Sequence, residues 1–152
     1  MRIRRADAAD IEAILRVERA AASAPHWNLH VYADAIPGKK NRCVFVADED
    51  GICGFAVASL VANEAELESV AVVASRRRHG VGRALCGAVV TWAMDAGATA
   101  VSLEVRAAST AAIGLYRWLG FERVGLRQAY YAEPTDDAVL MRLALENTKA
   151  KD

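Results

Sequence analysis

The stretch from Val70 to Leu85 constrains this 152-residue chain more than any other. An apolar run through Val70, Ala71, Val72 and Val73 passes into Ala74-Ser75-Arg76-Arg77-Arg78-His79-Gly80-Val81-Gly82. A helical pattern starts at once: Val81, Ala84, Leu85, Ala88, Val89, Trp92, Ala93 and Ala96 recur on one face, and Gly97 is a natural stop. A strand feeding a helix through a glycine loop points to a mixed α/β architecture. Gly80 and Gly82 let the backbone approach a ligand with no Cβ in the way. The first helical turn carries unpaired N–H groups at the positive end of the helix dipole. Together these predict an anion site suited to a pyrophosphate, with Arg77, Arg78 and Arg83 able to add charge-assisted contacts. The bland reading of the same residues is a glycine loop with a solvated basic run. The spacing satisfies neither GxxxxGK[ST] nor GxGxxG, since position 85 is Leu, which disfavours ATP and NAD.

Around this segment the chain alternates strand and helix patterns. Strands are expected over 1–5, 42–47, 52–61, 65–73, 100–106, 121–128 and 138–145, and helices over 8–22, 30–36, 81–96 and 110–119. Asp7 is a candidate N-cap for the first helix. Asp48-Glu49-Asp50-Gly51 reads as a hairpin turn, because Asp and Gly tolerate positive φ. About seven strands with about four helices on the sheet faces fit one domain over 1–145, with a polar tail over 146–152.

Charge then narrows the partners. Lys plus Arg equals Asp plus Glu at 19 each, so there is no global basic field for nucleic acid. The positive charge is local, at Arg76, Arg77 and Arg78, which suits a small anion. The N-terminus lacks a signal-peptide pattern and no window has eighteen uninterrupted apolar residues, so a cytoplasmic protein without a membrane partner is expected. Cys43, Cys53 and Cys86 form no CxxC pair, and His26, His30 and His79 show no ligand spacing. Reduced thiols and no metal are the expectation. Monomer and homodimer stay equally open.

Arg77-Arg78-His79-Gly80-Val81-Gly82 resembles the [RQ]-x-x-G-x-[GA] pattern of the GNAT superfamily of N-acetyltransferases. Leu103-Glu104-Val105-Arg106-Ala107 and the "AxxLYxxxGF" run ending at Gly120-Phe121 match the same family in order, and the likeness spans nearly the whole chain. These pieces, with Tyr130-Tyr131 and Asp137-Ala138, are most similar to the RimI-type ribosomal-protein alanine N-acetyltransferases. The resemblance implies the acyl-CoA N-acyltransferase fold, with the loop amides of residues 77–83 holding the coenzyme A pyrophosphate. It implies acetyl-CoA along Val70, Ala71 and Val72 and the loop, with Ser109 and Tyr116 beside the pantetheine arm. The acceptor it implies is a protein N-terminal α-amine. Ser109 stands where the family usually has Asn, and Ala132 where a proline often follows the paired tyrosines.

Acetyl transfer needs an unprotonated amine, a stabilised thioester oxygen and a proton for the leaving thiolate. An α-amine titrates near ~8, so a modest base or a water relay suffices. Glu104 lies in an apolar strand, where partial burial would make it a better base. The resemblance assigns the base to Glu104 and the acid to Tyr116. Glu68, which shares a strand face with Glu66, is the rival base; a solvated strand face is its plain alternative. Val72 ends the strand beside the glycine loop, so its N–H is the candidate for the oxyanion. Trp27, with His26 and Tyr32, and Tyr130 with Tyr131, are candidate walls of an acceptor groove. The alternatives are the same fold acting on a lysine side chain or a small amine, and a non-catalytic coenzyme A-binding module. No strongly acidic groove is legible to favour a polyamine. Nucleic-acid binding through the arginine run conflicts with the zero net charge.

Overall fold

The computed structural model describes residues 1–21, 29–38 and 41–146. Among them, strands β1 (Arg2–Arg5), β2 (Arg42–Asp48), β3 (Ile52–Val61), β4 (Glu64–Val72), β5 (Ala100–Arg106), β6 (Glu122–Tyr131) and β7 (Asp136–Ala144) form one sheet. Helices α1 (Ile11–Ala20) and α2 (Leu29–Ala35) precede β2, α3 (Val81–Asp95) links β4 to β5, and α4 (Thr110–Trp118) links β5 to β6. The strand order is β1-β2-β3-β4-β5-β7-β6. Every neighbouring pair is antiparallel except β4 and β5, which run parallel across the α3 crossover. The mixed sheet with helices on its faces agrees with the expected class.

The helices divide by face. Ile14, Tyr32, Val44, Val46, Phe55, Val57 and Ala71 are buried together under α1 and α2. Cys43, Ala56, Ala58, Leu85, Val89, Val101, Leu103 and Met141 form the core under α3 and α4. Central strands β2 and β3 feed both cores, which is why they read as continuous apolar runs rather than alternating ones. Gly54 is where α3 comes closest. A Cβ there would lie 3.0 Å from the Ala71 carbonyl oxygen and 3.1 Å from a Leu85 methyl. Cys43, Cys53 and Cys86 are free and buried.

Two boundaries and one side-chain placement differ from expectation. The helix expected over 8–22 opens as a 3-10 turn at Ala8–Asp10 and becomes α-helical only at Ile11. Its first turn is held reciprocally: Ala9 N–H donates to Asp7 Oδ1 and Asp7 N–H to Asp10 Oδ2, both at 2.8 Å. Arg4 adds a bidentate pair to Asp10 at 2.8 and 2.9 Å, and this guanidinium holds the Asp10 carboxyl below the usual carboxylate range. The second difference is in β6, which runs on to Tyr131. Ala129 adopts φ +49° and its N–H turns to Asp137 Oδ1 at 2.8 Å, so the strand passes an irregularity instead of ending. Third, Tyr32 does not wall a groove. It is fully buried, edge-on to Phe55, and its hydroxyl donates to the buried Glu18 carboxylate. Trp27, His26 and the tail over 147–152 lie outside the described residues.

Candidate active site

The site begins where the sheet opens. β4 and β5 share three rungs, Glu64↔Ala100, Ala65↔Val101 and Glu66↔Ser102, and pairing ends there. β5 is drawn away by β7, which it pairs with along its whole length. The upper half of β4 therefore has a strand edge without a β5 partner. Val73 N–H donates to the Cys53 carbonyl at 2.8 Å, so by strand alternation Ala71 also points its amide to β3. Val70 and Val72 direct theirs into the opening. Of the three β4 residues expected at the coenzyme, the cleft thus receives Val70 and Val72, while the Ala71 side chain packs in the α1–α2 core.

The cradle lies on the α3–α4 face. A cavity of about 520 Å³ is lined by Val72, Arg76, Arg77, Arg78, Gly80, Val81, Gly82, Arg83 and the α4 residues Ala111, Ala112 and Leu115. The first helical bond of α3 joins Ala84 N–H to the Gly80 carbonyl at 3.0 Å, leaving the amides of Val81, Gly82 and Arg83 ahead of it. Gly80 is the N-cap at φ +81°, and it brings no side chain to satisfy them. A Cβ on Gly82 would meet a Leu115 methyl at 3.4 Å and a Val72 methyl at 3.9 Å, ordinary contact distances. Folding alone thus tolerates a larger residue at 82; the missing Cβ leaves room for a ligand. Arg77 Nε donates to the Val72 carbonyl at 3.3 Å. Arg78 takes φ +66°, a left-handed conformation that non-glycine residues adopt sparingly. Arg76 also lines the cavity, but its guanidinium is paired with Glu49 at 2.8 Å, and His79 is exposed outside the lining. Free amides, a glycine-cleared floor and guanidinium groups are a donor set that fits a pyrophosphate.

Tyr116 sits in the α3–α4 core at 6% exposure, its ring 5.8 Å from that of Phe121. Burial, and then Cys86 and Tyr131, push its phenol well above the usual range, so it stays protonated at neutral pH. Ser109 is the N-cap residue of α4, but its hydroxyl makes no capping bond.

The opposite face of the opening carries acid. Leu67 and Leu103 point to the α3–α4 core, so Glu66 and Glu104 point the other way. A bulge pairs Val57 with Ser69 and Ala58 with Leu67, leaving Glu68 as the extra residue. Glu68 is held by Arg42 at 2.9 and 3.0 Å, which replaces the expected solvated strand face with a two-point ion pair. Glu104 has the looser partner Arg127 at 3.6 Å. The carboxyl raised above its ordinary range is that of Glu66, through partial burial first and then the charges of Glu68 and Glu104, with Arg42 and Arg127 opposing. Three carboxylates thus influence one another, an acidic surface that was not legible beforehand. Ser69 Oγ is buried beside them without a hydrogen-bond partner among the described residues. Tyr131 closes this side, its phenol pushed up by burial and then by Glu104. Tyr130 lies edge-on to Tyr131, and Arg106 stacks on Tyr131 while donating to the carbonyls of Pro134 and Ala132 at 3.0 and 3.3 Å.

The signal for Glu66 was its i, i+2 spacing from Glu68. Arg42 and the α4 lining gave none, because they meet the site only through the fold.

Residues 10–121 match the family model for the acetyltransferase (GNAT) family. The ribosomal protein bS18-alanine N-acetyltransferase of Escherichia coli strain K12 is 31% identical over 138 residues, covering 90% of this chain and 92% of the relative. An uncharacterized protein of Mycobacterium leprae is 36% identical over 120 residues, 76% of this chain, which spans only 33% of that relative. The crystal structure of the ribosomal-protein-S18-alanine N-acetyltransferase from Escherichia coli superimposes with a TM-score of 0.84 at 30% identity, covering 95% of this chain and 94% of the other.

Proposed function

This chain belongs to the GNAT acetyltransferase family and is an acetyl-CoA-dependent N-acetyltransferase, and from that premise we propose that its acceptor is the N-terminal α-amino group of a protein. The observation that carries the reading is the opposition of two sites across one strand opening. Phosphate donors lie on the α3–α4 face and carboxylates on the other, with the Val70 and Val72 edge between them. A thioester can thus enter from one side and an amine from the other. The bacterial relative named for an alanine N-acetyltransferase favours an α-amine as that acceptor.

The chain's residues then take these roles. The loop amides of 80–83, with Arg77 and Arg78, hold the pyrophosphate. Val72 N–H donates to the thioester oxygen as negative charge gathers on it. Glu104 accepts the proton that the amine loses, directly or through one water, and Glu66 beside it holds the incoming ammonium. The nitrogen lone pair bonds to the acetyl carbon, the C–S bond breaks, and its electron pair leaves on sulfur. Tyr116, kept protonated by burial, returns a proton to that thiolate. The side-chain hydroxyl of Ser109 is free to bond the pantetheine arm.

A second reading has one observation in its favour. The three carboxylates also suit a small dicationic amine. A thiol-release assay with acetyl-CoA separates the two. The α-amine reading expects release with alanine-starting peptides, abolished when that terminus is blocked. Release confined to small amines or lysine peptides overturns the acceptor and keeps the chemistry. In the same assay Glu104→Gln should remove the acid-side fall of the pH–rate profile, where a working base is protonated. An unchanged profile rejects Glu104 as base.

A further inference from the structure

Arg83 and Trp118 meet at the outer end of the cradle, the guanidinium carbon 3.7 Å from the indole centroid. Trp118 is 63% exposed, unusual for so large an apolar side chain. Arg83 lines the cavity, as do Ala111 and Leu115 of α4. Trp118 follows these two at i, i+4, i+7, so it continues the same helical face outward. The first turn of α3 and the last turn of α4 therefore set an indole beside the cavity, stacked on the lining residue Arg83.

We infer that Trp118 and Arg83 bind the adenosine end of coenzyme A, the indole face taking the adenine and the guanidinium the ribose phosphate; this rests on the acetyl-CoA reading. A pyrophosphate on the amides of 80–83 leaves two arms to place. The thioester arm belongs at the Val70–Val72 edge, where the strands part. The nucleoside arm must leave by the other end, and there the chain presents a flat aromatic surface and a positive charge. Every base has a π-face that stacks on an aromatic ring, and a phosphate pairs with a guanidinium. The plainer role for the pair is to tie α3 to α4. That role would weaken all acyl donors alike and lower the melting temperature.

The test uses three donors: acetyl-CoA, its 3′-dephospho form and S-acetyl-pantetheine, which lacks the nucleotide. Kd by calorimetry and KM by thiol release are measured for the wild-type protein, Trp118→Ala, Trp118→Phe and Arg83→Gln. Trp118→Ala should weaken acetyl-CoA and the dephospho form about tenfold. It should leave S-acetyl-pantetheine within about twofold, and Trp118→Phe should recover most of the loss. Arg83→Gln should weaken acetyl-CoA about tenfold and the dephospho form much less. Equal losses on all three donors, or none, overturn the inference. If the wild-type protein binds acetyl-CoA but acetylates no amine, the calorimetric arm still decides the inference and only the transfer reading falls. If it binds no acetyl-CoA, both fall.

Discussion

The two sides of the strand opening are built from different materials. The side proposed for the coenzyme is mostly backbone: amides of consecutive residues 81–83, the cap at Gly80 and the strand edge at Val72. The side proposed for the acceptor is mostly side chains: Glu66 and Glu68 from β4, Glu104 from β5, Arg42 from β2, and Arg127, Tyr130 and Tyr131 from β6. One side is positive and local in sequence; the other is acidic and gathered from four strands. A backbone site depends on φ and on the absence of bulk. A side-chain site depends on pairwise charge, so it can change its partner while the cradle stays the same.

The sharpest break between the sides should come at Tyr116, the proposed general acid rather than a part of either binding surface. Tyr116→Phe keeps the ring packed on Phe121 and removes only the hydroxyl. Turnover should fall about 100- to 1,000-fold, the range of a lost general acid, with acetyl-CoA affinity unchanged. Calorimetry beside steady-state rates checks it, and equal losses in both would remove the acid role.

This division also decides what could be read in advance. The cradle was legible because backbone chemistry is written locally, as glycines at fixed spacing ahead of a helical period. Glu104 and Tyr116 stood out only by family likeness. The Glu68 ion pair was not legible because Arg42 is 26 residues away, and nothing local signals that pair. Tyr32 was misplaced because an aromatic near a helix end looks the same whether it walls a groove or plugs a core. Its burial follows from Phe55 and Glu18, which reach it through tertiary packing. Trp118 occupies an open position of the AxxLYxxxGF pattern, so no motif marked it, and Arg83 meets it only once α4 lies across the start of α3. The β4–β5 opening was equally hidden, since it arises from β5 preferring β7 along its length.

The next test asks whether Gly82 serves the fold or the ligand. Gly82→Val adds bulk toward Leu115 and Val72, at the cavity floor. The acetyl-CoA Kd should rise about tenfold or more while the melting temperature moves by only a few degrees. A collapse in stability with little change in Kd would make the glycine a packing residue.

A smaller effect is expected on the acidic side. Glu66 has its carboxyl raised, so its favourable contribution is present below its unfolded pKa and is lost as pH rises through the folded one. At neutral pH the charge stands against Glu68 and Glu104. Glu66→Gln should therefore melt slightly higher than the wild-type protein at pH 7, with the gap closing in acid. It should also raise KM for the amine by a few-fold, on the order of one lost surface ion contact. A variant that is less stable at pH 7 would show that Glu66 is a structural partner instead.

The thiols should give the smallest effect at neutral pH, and they test the core under the coenzyme side. Burial pushes Cys43 up to about 11 and Cys86 up to about 12, from an ordinary thiol value of 9.0. Both should be silent to a thiol reagent in the folded protein at pH 7 and react only on unfolding. A raised folded pKa means the protonated thiols support the fold fully below about pH 9 and lose that support as pH climbs toward 11 and 12. Melting temperature should therefore drop above pH 9, and Cys86→Ala should flatten the drop, at the expense of a small cavity against Val89 and Tyr116. Alkaline melting of the two proteins side by side decides it. Parallel curves would assign the alkaline loss to groups outside this core.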